Sequence, residues 1–314
     1  DPDFIKSEVE ARYAFSGSVR VQLLYRGIND VYVVRDDAAK RALRVWRAGT
    51  RSLPAILQEL DFLAFLKGKG VSVSSAIPAR SDDVHFSLEA PEGPRTAVLY
   101  TWASGQKFGD QLDVELGGKI GAAFARLHLA ARDYKPAAPV AAATAQGLID
   151  NLPFLLDWVE DRPEDIRDYT ALSERLAQVI STQQGLDLPK GMCHQDMHPS
   201  NVHVDKAGQI TFIDFDGCAE GHWLHDVKNF IFGNAFYGFD AKYGAAFEQG
   251  YNGVRPYTAA ERENGELFLL IKAVRLLGGA ARAAKSRGRD LLRFRSLDWF
   301  AHYIKTRARA LGYL

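Results

Sequence analysis

The chain has 314 residues, 47% of them hydrophobic, which is enough to bury a large core. Its 39 basic residues balance its 39 acidic residues, so the composition does not indicate a protein that binds nucleic acid or an anionic membrane surface. Cys193 and Cys218 are too few for a disulfide framework, which favours a reducing compartment. Because no signal peptide and no apolar run of ~18 residues is present, we expect a cytoplasmic protein with no membrane partner.

The first third of the chain is patterned mainly as strands. Three short runs rich in β-branched and aromatic residues, SVRVQLLY, DVYVV and RALRVW, are divided by turn signals and predict consecutive strands. The next stretch, SLPAILQELDFLAFLKGKG, predicts a helix because Pro54 stands near its start, a glycine follows it, and its apolar residues recur at helical spacing. HFSLEA and RTAVLYTW predict two further strands.

Helical patterns dominate after Ala103. ELGGKIGAAFARLHLAA, LFLLIKAVRLLGGAARAA and LDWFAHYIKTRARAL are each periodic at helical spacing. Between the first two, VHVD and ITFIDF predict a short hairpin, and the Ala/Pro-rich segment 135–147 predicts a connector. We therefore expect an α+β protein of two lobes, a small antiparallel-sheet lobe over residues 1–102 and a larger, mainly helical lobe over residues 103–314.

The stretch HQDMHPSNVHVDKAGQITFIDFDG, residues 194–217, concentrates polar residues of the kinds found in catalytic sites. Its histidines, His194, His198 and His203, could in principle bind zinc. Pro199 argues against this because it biases His198 away from helical geometry, and no glutamate follows the first histidine as in H-E-x-x-H. His203 also lies in a strand-like alternation, so a histidine-ligated zinc site is the weaker alternative.

The oxygen-bearing side chains of the same stretch fit a different site. Asp196 and Asn201 are five residues apart across a proline-containing loop, and Asp214 follows the strand that begins near Ile210. Mg²⁺ is a hard ion that prefers oxygen ligands and leaves room for phosphate oxygens and water. One carboxylate and one amide therefore suit a magnesium–nucleotide complex, with Asp196 left near an incoming hydroxyl group.

HQDMHPSN resembles the H-R-D-x-x-x-x-N catalytic loop of protein kinases, and Asp214 begins the DFD that stands where D-F-G would follow. It is more similar to the loop of the aminoglycoside phosphotransferase/choline kinase-like family, usually H-G-D-x-H-x-x-N with I-D-F/W-D/E downstream. The resemblance implies a bilobal protein-kinase-like fold with ATP and Mg²⁺ as cofactors. Asp196 would be the catalytic residue that orients the acceptor hydroxyl, and Asn201 and Asp214 would bind Mg²⁺.

The resemblance also implies roles for the neighbours of these residues. His194 would be structural, whereas His198 would either approach the γ-phosphate or brace the turn. Asp216 and Asp226 would secure the loop and a helix N-terminus through backbone hydrogen bonds. Cys193 fits an ordinary buried cysteine better than a nucleophile.

Nucleotide-binding residues are expected in the first lobe. Asn29, in the hairpin YRGINDVY, matches an asparagine that the family often has over the phosphates, although this turn holds one glycine instead of G-x-G-x-x-G. Arg44 stands where protein kinases carry the lysine of V-A-I-K, a departure because the two side chains bind phosphate differently. Glu59 matches the helix glutamate that pairs with this cation, and Tyr100 to Trp102 match the adenine-binding hinge. The alternatives are an ordinary hairpin, a surface arginine, a solvated glutamate and a plain buried strand.

These residues together predict an ATP-dependent phosphotransferase that moves the γ-phosphate to a hydroxyl group of a small molecule, such as an aminoglycoside, homoserine, choline or a sugar. The alternatives are a bacterial Ser/Thr protein kinase of the same fold and a non-catalytic nucleotide-binding module. No A-P-E follows Asp214, and GCAEGHWLHD is too short for a protein-kinase activation segment, which favours a small acceptor. Candidate acceptor contacts in the helical lobe are Asp110, His222, Trp223 and Tyr237.

Overall fold

The computed structural model describes residues 1–27, 29–137, 145–182, 188–287 and 290–314. The chain forms two compact units. The first consists of Asp1–Lys107, Asp133–Pro139 and Val202–Asp216, and the second of Phe108–Arg132, Val140–Asn201 and Gly217–Leu314. The boundary expected from the sequence, after residue 102, assigns only residues 1–102 to the small lobe. The first unit extends to Lys107 and also includes Asp133–Pro139 and Val202–Asp216. The predicted connector lies in part outside the described residues.

The first unit is built on an antiparallel five-stranded sheet. Its strands follow the order β1-β2-β3-β5-β4, so the predicted succession of three strands, a helix and two strands is confirmed. One helix, α1, was not predicted, because it buries only Ile5 and Val9, too few positions for a periodic pattern. The elements are α1 (Pro2–Arg12), β1 (Arg20–Arg26), β2 (Asn29–Arg35), β3 (Lys40–Trp46), α2 (Leu53–Gly68), β4 (Phe86–Leu88) and β5 (Arg95–Thr101).

Burial of alternate side chains holds this sheet in register. Tyr32 and Val34 of β2 and Leu43 and Val45 of β3 are all buried, and their strands pair so that Tyr32 lies opposite Leu43. Each strand therefore turns one apolar face to the core, as period-two patterning requires.

A second, three-stranded sheet in the same unit carries the predicted hairpin. Strand β6 (Gln106–Lys107) pairs with β8 (Val202–Val204), which pairs with β9 (Ile210–Phe212). Gly105, just before β6, has φ of 87°, and a Cβ there would lie 2.0 Å from the carbonyl oxygen of Val204. Only glycine allows this close approach of the two chain segments.

The second unit is mainly helical. The three long periodic patterns correspond to α3, α8 and α9, and a two-stranded antiparallel sheet of β7 and β10 accompanies the helices. The helices are α3 (Val114–Ala131), α4 (Ala145–Trp158), α5 (Pro163–Thr182), α6 (Trp223–Tyr237), α7 (Ala241–Val254), α8 (Ala259–Arg287) and α9 (Leu297–Ala310), and the strands are β7 (Lys190–Cys193) and β10 (Ala219–His222). Within the described ranges, every helix falls short of the length and apolar content needed to cross a bilayer.

Candidate active site

The loop that follows β7 is anchored by one carboxylate. Asp226, in the first turn of α6, is fully buried and accepts the backbone N–H of His194 at 2.6 Å and that of Gln195 at 2.7 Å. It therefore secures the loop through backbone hydrogen bonds, as expected from the sequence. Two charge-assisted bonds to adjacent N–H groups fix both the path and the direction of the chain there.

A buried histidine on α3 contacts the Asp226 carboxylate. His128 Nε2 lies 3.2 Å from Asp226 Oδ2, and His128 Nδ1 lies 2.7 Å from the hydroxyl of Tyr251. Burial alone would raise the pKa of Asp226, but the bond to His128 outweighs it and lowers that pKa. The His128 ring also stacks on Trp223 at 5.4 Å between centroids. Trp223, a candidate acceptor contact, is thus a buried side chain that packs on this network.

One group of potential metal ligands lies next to this loop. Among the described residues, the group of ligating side chains whose atoms lie within 4.8 Å of one another is His128, Cys193 and Asp226, not the three histidines of the predicted loop. Asp226 and His128 are occupied by the hydrogen bonds above. Burial, with the nearby charge of Asp226, raises the pKa of the Cys193 thiol well above its ordinary value, so this cysteine is a buried structural residue.

Gln195 adopts an unusual backbone conformation. Its φ is 68°, in the left-handed region that residues other than glycine rarely occupy. Its carbonyl oxygen accepts the Asn229 side-chain amide at 2.7 Å, while its N–H is held by Asp226. The family that this loop resembles usually has glycine at this position, because glycine adopts the left-handed conformation without steric cost.

Asp196 presents a half-exposed carboxylate at the bend of the loop. Its Oδ1 lies 3.1 Å from Lys272 Nζ and its Oδ2 lies 3.7 Å from His198 Nε2, with 54% of the side chain exposed. Burial would raise the pKa of Asp196, but Lys272, His198 and His194 outweigh it and hold that pKa well below its usual range. The carboxylate is therefore ionised at neutral pH. Lys272 was not singled out from the sequence, because it lies 76 residues further along the chain.

Asn201 is buried in a 3₁₀ turn, Pro199–Asn201, that closes the loop. Its side-chain nitrogen donates to the carbonyl oxygen of Asp196 at 2.9 Å, so its side-chain oxygen is the atom left to coordinate a cation. His198 Nδ1 accepts the N–H of Ser200 at 3.2 Å, which favours the bracing role for this histidine. A Cβ on Gly233 of α6 would lie 2.9 Å from the Cβ of His198, so the helix backbone packs directly against the loop.

The first unit holds the other predicted residues around a buried ion-pair network. Arg44 on β3 donates to Asp214 Oδ1 at 2.5 Å and lies 3.7 Å from Glu59 Oε1 on α2. The hydroxyl of Tyr100 donates to the same Glu59 oxygen at 3.1 Å. Burial alone would lower the pKa of Arg44, but Asp214 and Glu59 raise it, so the cation is fixed. Asp214 has φ of 66°, a left-handed conformation that aspartate tolerates better than most residues.

Asp216 has a different role from the one expected. Its carboxylate accepts side-chain donors: Trp46 Nε1 at 2.9 Å, Arg51 Nη1 at 2.7 Å and Asn29 Nδ2 at 3.3 Å. Arg51 also bonds Glu59. Asn29 is thus buried at the start of β2 as part of this network. Neither Arg51 nor Trp46 was found from the sequence, since an arginine and a tryptophan near the end of a strand carry no motif.

A mainly apolar cavity of about 240 Å³ opens beside this network. Because benzene fits a cavity of about 150 Å³, the space admits a purine-sized ring. Strand β5 ends at Thr101, whose N–H donates to Ser75 O at 2.9 Å. Trp102 is therefore the first residue after the strand that lines the cavity. The side chains that line the cavity include Leu24, Tyr25, Val31, Ala42, Arg44, Glu59, Leu63, Tyr100, Trp102, Lys107, His203 and Asp214.

Comparisons with known proteins agree with this architecture. Residues 25–263 match the sequence profile described as the phosphotransferase enzyme family. That is about three quarters of the chain, so the protein belongs to this family.

Several relatives in this family share a quarter or more of their aligned residues with this chain. An uncharacterised protein of Synechocystis sp. is 29% identical over 76% of this chain and 67% of its own length. A homoserine kinase of Gluconobacter oxydans is 28% identical over 69% of this chain and 66% of its own. An amicoumacin kinase of Bacillus subtilis is 25% identical over 74% of this chain and 68% of its own.

Solved structures share the fold at lower identity. An amicoumacin kinase in complex with AMP-PNP, Ca²⁺ and Ami has a TM-score of 0.76 at 19% identity, covering 99% of this chain and 94% of its own. An aminopropanol kinase has a TM-score of 0.72 at 20% identity, covering 99% and 98%. A choline kinase from Streptococcus pneumoniae has a TM-score of 0.65 at 12% identity, covering 99% of each chain. The predicted protein-kinase-like fold is therefore confirmed.

Proposed function

We propose that the protein transfers the γ-phosphoryl group of ATP to a hydroxyl group of a small molecule. The observation that carries this proposal is the state of Asp196, an ionised and half-exposed carboxylate on a loop fixed by Asp226. A loop held in this way positions a hydroxyl group without reorganisation, which is the main task of the protein in phosphoryl transfer.

The nucleotide would be bound by the residues of the first unit. The apolar cavity suits the adenine ring, with the backbone of Trp102 as the hinge contact, and Arg44 at its border suits the phosphates. Glu59 holds that arginine in place. Asn29 would act on the phosphates only indirectly, through the network around Asp216.

Magnesium would be held by the Asn201 side-chain oxygen and the Asp214 carboxylate, the positions that match the metal ligands of protein kinases. Both are hard oxygen donors, which fits Mg²⁺ better than zinc. When bound, the ion would neutralise charge on the phosphates. The chain's own residues prepare the site: Asp196 O fixes the Asn201 amide, and Arg44 fixes the Asp214 carboxylate.

Asp196 would orient the acceptor oxygen and accept its proton late. A carboxylate with a lowered pKa is a weak base, which favours late over early deprotonation of the alcohol. A loose transition state, in which the acceptor oxygen keeps its proton until transfer is well advanced, suits such a residue.

Two observations support a small acceptor. The chain passes from Asp214 through a short 3₁₀ turn, Phe215–Gly217, and β10 directly into α6, with no room for a protein-kinase activation segment. The characterised relatives named above are kinases of homoserine and amicoumacin, both small molecules with hydroxyl groups.

The test has two parts. Thermal unfolding is measured with ATP, with and without Mg²⁺, and phosphoryl transfer to a panel of hydroxyl compounds is followed by ADP release and phosphorus NMR. We expect ATP with Mg²⁺ to raise the melting temperature, and Asp214→Asn to lose the magnesium-dependent part. Asp205→Asn, in the turn of the same hairpin, is the matched control and should keep it.

The results that contradict the proposal are equally concrete. No response to ATP would rule out the whole kinase class. ATP binding without transfer to any acceptor would favour a nucleotide-binding module. Labelling of the protein by radioactive ATP with no acceptor present would favour the protein-kinase alternative.

A further inference from the structure

Two cations from α8 interact with the charge of Asp196. Lys272 and Arg275 are three residues apart, and on a helix this spacing brings side chains to neighbouring positions about 5–6 Å apart. Lys272 Nζ touches Asp196 Oδ1 at 3.1 Å. Arg275 lies 3.4 Å from Nε2 of His225, which belongs to α6.

Arg275 is a buried cation whose guanidinium group makes no direct ion pair. Within the described ranges, no carboxylate oxygen lies within 4.0 Å of its guanidinium group, whereas Lys272 contacts Asp196. Burial lowers the pKa of Arg275 and the more distant charge of Asp196 opposes that shift, although an arginine stays charged at any physiological pH. A partly dehydrated cation with no carboxylate in contact costs stability, and such a cost is typical of a binding site.

His225 neither adds to nor cancels this charge. Burial and the neighbouring Arg275 lower the pKa of His225 to about 3, so the imidazole is neutral at pH 7. Asn229 on the other side of the ring is a neutral amide, 3.4 Å from His225 Nδ1. Asp196, Lys272 and Arg275 together therefore carry one negative and two positive charges at pH 7, a net positive environment.

We propose that the acceptor is a small hydroxy acid whose carboxylate is bound by Arg275 and Lys272 while its hydroxyl is held by Asp196. This inference rests on the proposed function and specifies its substrate class. A guanidinium group binds a carboxylate through two parallel hydrogen bonds, which suits Arg275. A polycationic aminoglycoside or a quaternary amine would place like charges beside these cations, and this is unfavourable.

The geometry also limits acceptor size. Lys272 contacts Asp196, and in the proposed arrangement it also binds the substrate carboxylate, so the hydroxyl and the carboxylate would be bound within one helical turn of each other. A chain of about three to four carbon atoms spans that separation. Arg275 is a specificity-determining residue in this arrangement, because it touches the substrate without touching the transferred group.

The experiment compares acceptors that differ only in the carboxylate. L-homoserine is paired with 3-aminopropan-1-ol and L-serine with ethanolamine, and choline and kanamycin represent the cationic class. We expect kcat/KM to favour the better hydroxy acid over its decarboxylated partner by roughly 10- to 100-fold, because a hydrogen bond to a charged group contributes on that scale.

Variants then assign the preference to its residue. Arg275→Gln should bring the ratio of kcat/KM between the hydroxy acid and its decarboxylated partner close to one, mainly by raising KM for the hydroxy acid. Arg275→Lys, which keeps the charge but not the two-pronged geometry, should retain part of it. Arg282→Gln makes the same change two turns further along α8 at an exposed position and should keep the full ratio.

Each remaining outcome contradicts a specific claim. Faster transfer to the amino alcohols, choline or kanamycin overturns the substrate class and leaves the proposed function standing. A ratio that survives in Arg275→Gln overturns the assignment of the carboxylate site to Arg275 and leaves the proposed function standing. Absence of transfer to every acceptor, with or without a carboxylate, contradicts the proposed function itself and this inference with it.

Discussion

The Asp226 carboxylate holds the backbone N–H of His194 at 2.6 Å, across 32 residues of sequence. This bond joins the first turn of α6 to the loop that carries Asp196. The position of Asp196, the proposed catalytic residue, is thus set by a buried residue on another element.

Asp226→Asn should weaken this anchor. The substitution keeps the shape but removes the charge and turns one oxygen acceptor into a donor that faces an N–H group. We expect a loss of about 2–4 kcal/mol in the free energy of unfolding, measured by urea titration. Asp113→Asn at the exposed N-cap of α3 is the control and should cost under about 0.5 kcal/mol, since asparagine caps as well as aspartate. Equal effects of the two substitutions would refute the anchoring role.

Gln195→Gly should be tolerated or stabilising. Relief of the left-handed conformation contributes about 1–2 kcal/mol, and the greater freedom of glycine in the unfolded chain offsets about 0.5–1 kcal/mol of it. Gln178→Gly in α5 makes the same change at an exposed, right-handed position and should cost about 1 kcal/mol. Chemical denaturation of both variants is the measurement, and a larger loss at Gln195 than at Gln178 would show that no strain is stored there.

Gly233→Ala should displace the loop that carries Asp196. The added Cβ would lie 2.9 Å from His198 Cβ and 3.0 Å from Pro199 Cδ, so the loop must move. We expect kcat to fall at least about 10-fold, because small displacements of a positioned group are costly in catalysis. Gly279→Ala, on α8 with no atom within 4 Å of the new Cβ, should leave kcat unchanged. An undiminished kcat in Gly233→Ala would mean that the loop does not depend on this contact.

Lys272→Met should move the acid limb of the pH–rate profile. Lys272 helps to hold the pKa of Asp196 below its ordinary value, and removing that positive charge raises the pKa. Activity should then begin to fall at a higher pH than in the wild type as acidity increases. Lys272→Arg, which keeps the charge, should leave the midpoint near its original position. A midpoint that stays unchanged in Lys272→Met would show that Asp196 does not set this limb.

Much of the fold could be predicted because local patterning agrees with the tertiary structure. The strand pattern of RALRVW and the helical pattern of SLPAILQELDFLAFLKGKG each place apolar residues on one face, and both elements form as expected. Helix α1 was not predicted because it buries only two residues. Strands β7 and β10 are too short to give a periodic signal.

The candidate site likewise contains residues that the sequence indicates and residues that only the structure identifies. Asp196, Asn201 and Asp214 lie in a contiguous motif, so spacing alone indicates them. In the sequence, Lys272 and Arg275 are indistinguishable from other basic residues on a helix face. Only the structure shows that Lys272 contacts Asp196. Their contribution depends on contacts between residues far apart in sequence, which local patterning does not encode.

The role of Asp196 is best tested by phosphoryl transfer in Asp196→Asn, measured on the best acceptor together with the thermal response to ATP and Mg²⁺. We expect kcat to fall about 10²- to 10⁴-fold while the response to ATP and Mg²⁺ stays at the wild-type level. A variant that transfers phosphate at a rate close to that of the wild type would contradict it.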